Sequence, residues 1–244
     1  MIGVYVRALK EKIHGTPEQA ARRAHDHGLT MVPILACWQS PKGTALSNGK
    51  TAERIIRYAE AFEAAGVDPW LWGYPWATRI DEYVDRIQGL MHRARGLFFG
   101  HISDPELGLK PRDGRTREQC EAAALQLSEI SDMVTSYGMA AGPPDLPWTQ
   151  LAAVHPPRLP AIGSPQFYKT PPADIPRGLD AWERCGFDGL VPSVPAYGPY
   201  SKGELDGYLA GLAPRSRGFL VWSWRQMDAL EWRTVAQWSE RFRG

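Results

Sequence analysis

Cysteine is scarce in this sequence. Cys37, Cys120 and Cys185 are spread over 244 positions with no Cys-x-x-Cys pair. An odd, widely spaced set builds neither a disulfide framework nor a thiolate metal site, so the thiols are expected to be reduced and mostly buried. Net charge is nearly absent too: 28 Lys and Arg stand against 27 Asp and Glu, leaving +1. That balance excludes nucleic acid and anionic membrane as expected partners. No stretch approaches the roughly 18 apolar residues of a membrane-crossing helix. Met1-Ile2-Gly3-Val4-Tyr5-Val6-Arg7 lacks the basic-then-apolar order of a signal peptide. The expectation is a chain cytoplasmic as synthesised, which would act on a cell wall only after a separate release route. There is no Gly-x-Ser-x-Gly elbow, and the first apolar run leads into Arg7-Ala8-Leu9-Lys10 instead of a Gly-rich phosphate turn. No cofactor is expected.

The chain does carry a regular alternation. Apolar runs read as strands at Gly3 to Ala8, Met31 to Cys37, Pro69 to Tyr74, Leu97 to Asp104, Met139 to Gly142, Leu159 to Tyr168, Gly189 to Val194 and Gly218 to Trp224. Between them lie helical patterns. Thr16-Pro17-Glu18-Gln19 opens one with an N-cap, a first-turn proline and a capping-box glutamine, and Gly28 closes it. Others run from about Thr51 to Ala65, Asp81 to Arg95, Thr116 to Tyr137, Ile175 to Cys185, Gly203 to Leu212 and Ala229 to Phe242. Only the fifth unit is thin, with Leu151-Ala152-Ala153 as a stub of helix. Eight βα units in this length predict an α/β fold: a (β/α)₈ barrel, one domain over residues 1–244 with no linker.

In such barrels the site forms at the C-terminal ends of the strands. Those ends carry Trp38-Gln39, then Tyr74 and Trp76, then Asp104 and Glu106, then Asp145 and Trp148, then Gln166-Phe167-Tyr168, then Tyr197 and Tyr200, then Trp222 and Trp224. There are ten Trp, more than a core requires. Aromatic faces suit the C–H faces of sugars, and their N–H and O–H groups suit hydroxyls. Asp104 and Glu106 are two apart on a strand, so they share a side, and a low-dielectric wall raises the pKa of one member of such a pair. His101 is an odd number of residues from both, so a metal site is not expected. Two plainer readings stay open: the aromatics plug the barrel top, or Asp104-Pro105 opens a turn.

Three stretches together resemble one family. Asp104-Pro105-Glu106 resembles the final Asp-x-Glu of the family 18 glycoside hydrolases, the chitinases and related endo-N-acetylglucosaminidases. Gln166-Phe167-Tyr168 is similar to the Gln-x-Tyr of plant-type members, and Gly218-Phe219-Leu220-Val221-Trp222-Ser223 to their Gly-x-x-x-Trp-Ser. A fourth-strand Asp-x-Glu is also similar to the family 25 lysozymes common among phage lysins. The resemblance implies hydrolysis of an N-acetylhexosamine-containing polysaccharide, chitin-like or peptidoglycan. Glu106 would be the general acid, Asp104 would orient the 2-acetamido group acting as nucleophile, and Tyr168 with Gln166 would hold its carbonyl. Trp222 would floor a sugar subsite, with Trp224, Tyr74, Trp76, Trp38, Asp145 and Tyr197 as further substrate contacts. If a second protein carboxylate served instead, Asp145 or Asp228 would supply it. The chain departs from the chitinase signature at Phe99 and Ile102, where that signature has Asp, and at Lys169. These departures motivate an alternative: a catalytically degenerate barrel that binds glycan or serves as a structural module, for example in a phage particle. The oligomeric state is not readable from the sequence.

Overall fold

A computed structural model describes residues 1–7, 9–40, 43–45, 50–105, 109, 114–137, 162–168, 170–196, 204–213 and 215–243. Ten strands form its sheet: β1 (Ile2–Val4), β2 (Met31–Ser40), β3 (Gly43–Ala45), β4 (Asp68–Tyr74), β5 (Gly100–Ser103), β6 (Met133–Tyr137), β7 (Ile162–Gln166), β8 (Gly189–Leu190), β9 (Ser193–Pro195) and β10 (Phe219–Trp222). All pair in parallel except β3, which folds back antiparallel on the end of β2. β8 and β9 are two pieces of one barrel wall, both beside β7. β1 pairs β2 on one side and β10 on the other, so the sheet closes into an eight-walled parallel barrel. The helices α1 (Glu11–His14), α2 (Pro17–Asp26), α3 (Lys50–Ala64), α4 (Ile80–Arg93), α5 (Arg117–Ile130), α6 (Ile175–Glu183), α7 (Glu204–Leu212) and α8 (Ala229–Arg243) alternate with the strands. This is the (β/α)₈ barrel expected from the sequence.

Strand alternation sorts side chains into two cores. One lies between sheet and helices and holds Val4, Ile34, Leu71, Val134, Val194 and Val221 with the helix residues Ile55, Tyr83, Leu127, Leu179 and Leu209. The other fills the barrel itself: Tyr5, Met31, Trp70, Trp72, Ile102, Met133, Val191 and Leu220.

The helix starts follow their sequence signals. Thr16 Oγ1 accepts from the Gln19 backbone N–H, and Gln19 Oε1 accepts from Thr16 N at 2.9 Å, completing the capping box on α2. Thr116 and Gln119 repeat it on α5. Gly28 and Gly66, with φ of 71° and 74°, follow α2 and α3 in the left-handed region that glycine tolerates.

Three expectations need correction. The helix foreseen over Thr116 to Tyr137 ends at Ile130, and Met133–Tyr137 is a strand. The break is made by Asp132, whose carboxylate accepts from His101 N (2.9 Å) while its own N–H donates to His101 O (3.0 Å). The fifth barrel strand is Met133–Tyr137, paired with β5 and β7, and not the expected Met139 to Gly142; residues 139–142 and Leu151-Ala152-Ala153 lie outside the described residues. The fourth barrel strand begins at Gly100 instead of Leu97, and Phe99 is 69% exposed. Gly100 is set against the Trp70 ring, where a Cβ would stand 2.6 Å from Cζ3.

Candidate functional site

β5 divides its side chains as its alternation requires. Ile102 faces the barrel interior. His101 and Ser103 face the helices: His101 Nε2 pairs with the Tyr83 hydroxyl on α4 (2.9 Å), His101 Nδ1 with Ser131 Oγ (3.3 Å), and the Ser103 and Ser131 hydroxyls with each other. Burial pushes the His101 imidazole down to about 3, so it is neutral at ordinary pH. His101 therefore stands on the far side of the strand from Asp104. Among the described residues no group of three or more His, Cys, Asp or Glu could hold a metal ion.

Asp104 follows β5 directly. Its N–H donates to Gly73 O (2.9 Å) on the neighbouring strand, and the residue is 4% exposed. Gln166, at the end of β7, donates from Nε2 both to Asp104 Oδ1 and to Thr135 Oγ1, each at 3.0 Å. Thr135 Oγ1 in turn donates to Ser164 O (2.8 Å), so toward Gln166 it can only accept. This fixes the amide's orientation. Both Gln166 N–H bonds are used, and its Oε1 is buried with no hydrogen-bond partner among the described residues.

Beneath this network the barrel interior is lined with hydroxyls. Ser164 and Ser193 pair at 3.0 Å, and the Tyr5 phenol stands among Ser193, Ser164 and Thr135. Burial raises the Tyr5 pKa well above the ordinary phenol value; the Ser193 hydroxyl works against this and the Asp104 charge adds to it. Sequence reasoning missed Tyr5, Thr135, Ser164 and Ser193. The available signal was the two-residue strand step: Ser164 lies one step below Gln166, and Tyr5 lies on the first strand.

Aromatic rings form the wall around the network. Trp222 lies 5.2 Å from Tyr5, 5.2 Å from Trp72 and 6.2 Å from Tyr168 between ring centroids. Trp38 stacks on Tyr74 at 4.6 Å and 16° and meets Trp72 edge-on at 6.5 Å. Asp104, Gln166, Tyr168, Trp222, Trp38 and Tyr74 thus all stand at the C-terminal ends of barrel strands. Trp76 is there as well, but it is 8% exposed and the Arg115 guanidinium covers its ring at 4.0 Å. The Trp76 backbone N–H donates to Gln39 Oε1 (2.8 Å), while Gln39 Nε2 donates to Arg79 O (2.8 Å). Trp76 is thus packed at this end of the barrel, as buried as Tyr74 and Tyr168.

Trp224 does not join the site. β10 ends at Trp222, and a 3₁₀ turn over Trp224–Gln226 carries Trp224 into the helix layer. It packs there against His14, Phe62 and Trp232 and is 2% exposed. The alternation that put Trp222 and Trp224 on one face stops where the strand stops. Asp228 is also accounted for: its Oδ1 accepts from Leu230 N (2.7 Å) and Glu231 N (3.2 Å) at the start of α8, an N-cap. Glu106, Asp145, Trp148, Lys169, Tyr197 and Tyr200 lie outside the described residues.

No protein-family model and no curated protein matches the chain. Solved structures do. An endoglucanase, Cel5A, of Pseudomonas stutzeri superposes with a TM-score of 0.59 at 12% identity, over 96% of this chain and 92% of that one. The xylanase and alpha-amylase inhibitor protein XAIP-II of Scadoxus multiflorus gives 0.59 at 15% identity, over 100% and 97%. A 3-keto-D-glucoside 4-epimerase of E. coli gives 0.59 at 13% identity, over 98% and 98%. At these identities the likeness shows the fold alone.

The site's chemistry follows from its parts. An inward carboxylate held by a fixed amide can orient a polar group of a ligand, and the rings beside it offer apolar surface to a sugar. No helix among the described residues is long and apolar enough to cross a membrane.

Proposed function

We propose that the chain is a glycoside hydrolase of the family 18 type, with the family 25 lysozyme type as its near alternative. It cleaves an N-acetylhexosamine-containing polysaccharide, chitin-like or peptidoglycan, at the C-terminal mouth of one barrel domain over residues 1–244. The observation that carries this reading is the buried Asp104 carboxylate, which takes a 3.0 Å hydrogen bond from Gln166 in a mouth that also holds Tyr168 and Trp222. Glu106 protonates the leaving oxygen. Asp104 orients the 2-acetamido group, whose carbonyl oxygen attacks the anomeric carbon, and Tyr168 and Gln166 hold that group. Trp222 floors the sugar, and Trp38, Tyr74, Asp145 and Tyr197 belong to the substrate channel. An endoglucanase on the same barrel is consistent with this chemistry.

A second reading rests on Ile102, which fills the barrel interior where a chitinase carries a further carboxylate beneath Asp104. Without it the barrel binds glycan and does not turn it over, as a binding or structural module. An inhibitor protein built on the same fold is consistent with such a loss. The deciding experiment is release of reducing ends from chitin oligomers and peptidoglycan, wild type beside Glu106→Gln and Asp104→Asn. Turnover in the wild type with none in Glu106→Gln is expected. Turnover retained in Glu106→Gln sinks the assignment, and saturable binding with no product at long incubation favours the second reading.

A further inference from the structure

Arg7 follows the first barrel strand at the mouth end of the barrel and rests on the Trp38 ring. Backbone pairing of the first barrel strand continues past Val4: Val6 N donates to Pro33 O (2.8 Å) and Leu35 N to Val6 O (2.9 Å). The pairing reaches Val6, and Arg7 follows it at a bend, one residue further toward the mouth. Its guanidinium carbon lies 5.1 Å from the centroid of the Trp38 ring, and that ring is itself fixed by Tyr74 and Trp72. Arg7 is exposed, and among the described residues it makes no hydrogen bond and no ion pair. Other surface arginines are open too, and Arg241 rests on the Trp238 ring at 4.5 Å, but Arg7 is the one placed beside Trp38 and Tyr74 at the strand ends.

A guanidinium resting on an aromatic face keeps its N–H edge free, and that planar fork matches a carboxylate with two parallel hydrogen bonds. The ring limits the orientations the side chain must give up on binding. The chain carries a net +1, so attraction of an anion to this spot is local and not a property of the whole surface. The apolar rings beside it suit an uncharged sugar. We propose that Arg7 and Trp38 form a subsite for a sugar carboxylate, so that the glycan bound at this mouth alternates N-acetylhexosamine with an acidic residue. The carboxylate is that of a uronic acid or of the lactyl ether of a muramic residue. This rests on the reading of the mouth as a glycan site, and not on hydrolysis.

The test is calorimetric titration at low ionic strength with three oligosaccharides: chitohexaose, a hyaluronan hexasaccharide, and a tetrasaccharide of alternating N-acetylglucosamine and N-acetylmuramic acid. At least one acidic oligomer is expected to bind about tenfold more tightly than chitohexaose, a difference of about 1.4 kcal/mol. Which of the two does so identifies the source of the carboxylate. Arg7→Gln brings that oligomer to within about twofold of chitohexaose, and Arg7→Lys, which keeps charge but loses the fork, falls between. Acidic oligomers binding no better than chitohexaose, a preference untouched by Arg7→Gln, or no binding of any of the three overturns the proposal. Binding is read without turnover. A preference that stands beside an inactive wild type removes the hydrolase reading and leaves the subsite.

Discussion

His101 gives the sharpest test of how the barrel wall is built. Its imidazole is enclosed between β5, the Tyr83 hydroxyl and Ser131, and burial lowers its pKa to about 3, against 6.5 for an unhindered side chain. A base whose folded pKa is depressed stays neutral while the unfolded chain takes up a proton. Stability is therefore complete above the unfolded value and falls as the pH drops from about 6.5 toward 3. At pH 5 the unfolded state is favoured through this one group by about 2 kcal/mol, the free energy of about 1.5 pH units below the unfolded pKa. His101→Asn removes the titration and leaves the other ionisable groups in place. Urea unfolding at pH 7.5 and pH 5 gives four free energies. The variant is less stable at pH 7.5 because the Tyr83 hydroxyl loses its partner, but its loss between the two pH values is smaller than the wild type's by about 2 kcal/mol. Contributions common to both chains cancel in this double difference. Equal losses in the two proteins would refute the assignment of a neutral, sealed histidine at this position.

Gln166→Met removes the donor shared by Asp104 and Thr135, and with both acceptors buried the loss is expected at about 3 kcal/mol in urea unfolding. A loss under about 1 kcal/mol would mean that the amide does not hold the carboxylate. Gly178→Ala puts a Cβ 2.4 Å from the buried Phe167 ring, the residue between Gln166 and Tyr168. It is expected to lower stability by about 1–3 kcal/mol, seen as a drop in Tm, and an unchanged Tm would show that the ring can yield.

Much of the barrel was legible because its signals are local. Thr16 announces its helix by a capping box that forms in the folded chain, and a period of about 30 residues announces the repeat. The end of α5 was illegible for the same reason. Met133, Val134 and Thr135 extend an apolar rhythm with no Gly or Pro before them, and the break is set by the pairing of Asp132 with His101, 31 positions away. The site divides in the same way. Asp104, Gln166, Tyr168 and Trp222 stand out by residue type at strand ends, and the barrel brings them to one mouth. Thr135, Ser164 and Ser193 are ordinary small polar residues that acquire meaning only when three strands set them side by side. Trp224 misled because alternation was carried past Trp222, where the strand stops and a turn begins.

The closing seam of the barrel has a consequence for how the chain folds. β1 is three residues long and is joined to β10 across most of the chain: Ile2 stands opposite Phe219, and the Met1 ammonium donates to Arg217 O at 2.9 Å, 216 positions on. During synthesis β1 and β9 wait as unpaired edges until β10 has emerged, with their backbone N–H and C=O groups open to a wrong partner. Such distant pairing is slow, because the loop it closes is nearly the whole chain. The strand that begins at Phe219 thus decides whether the first strand is kept, and a chain stalled before it is an open sheet prone to aggregation.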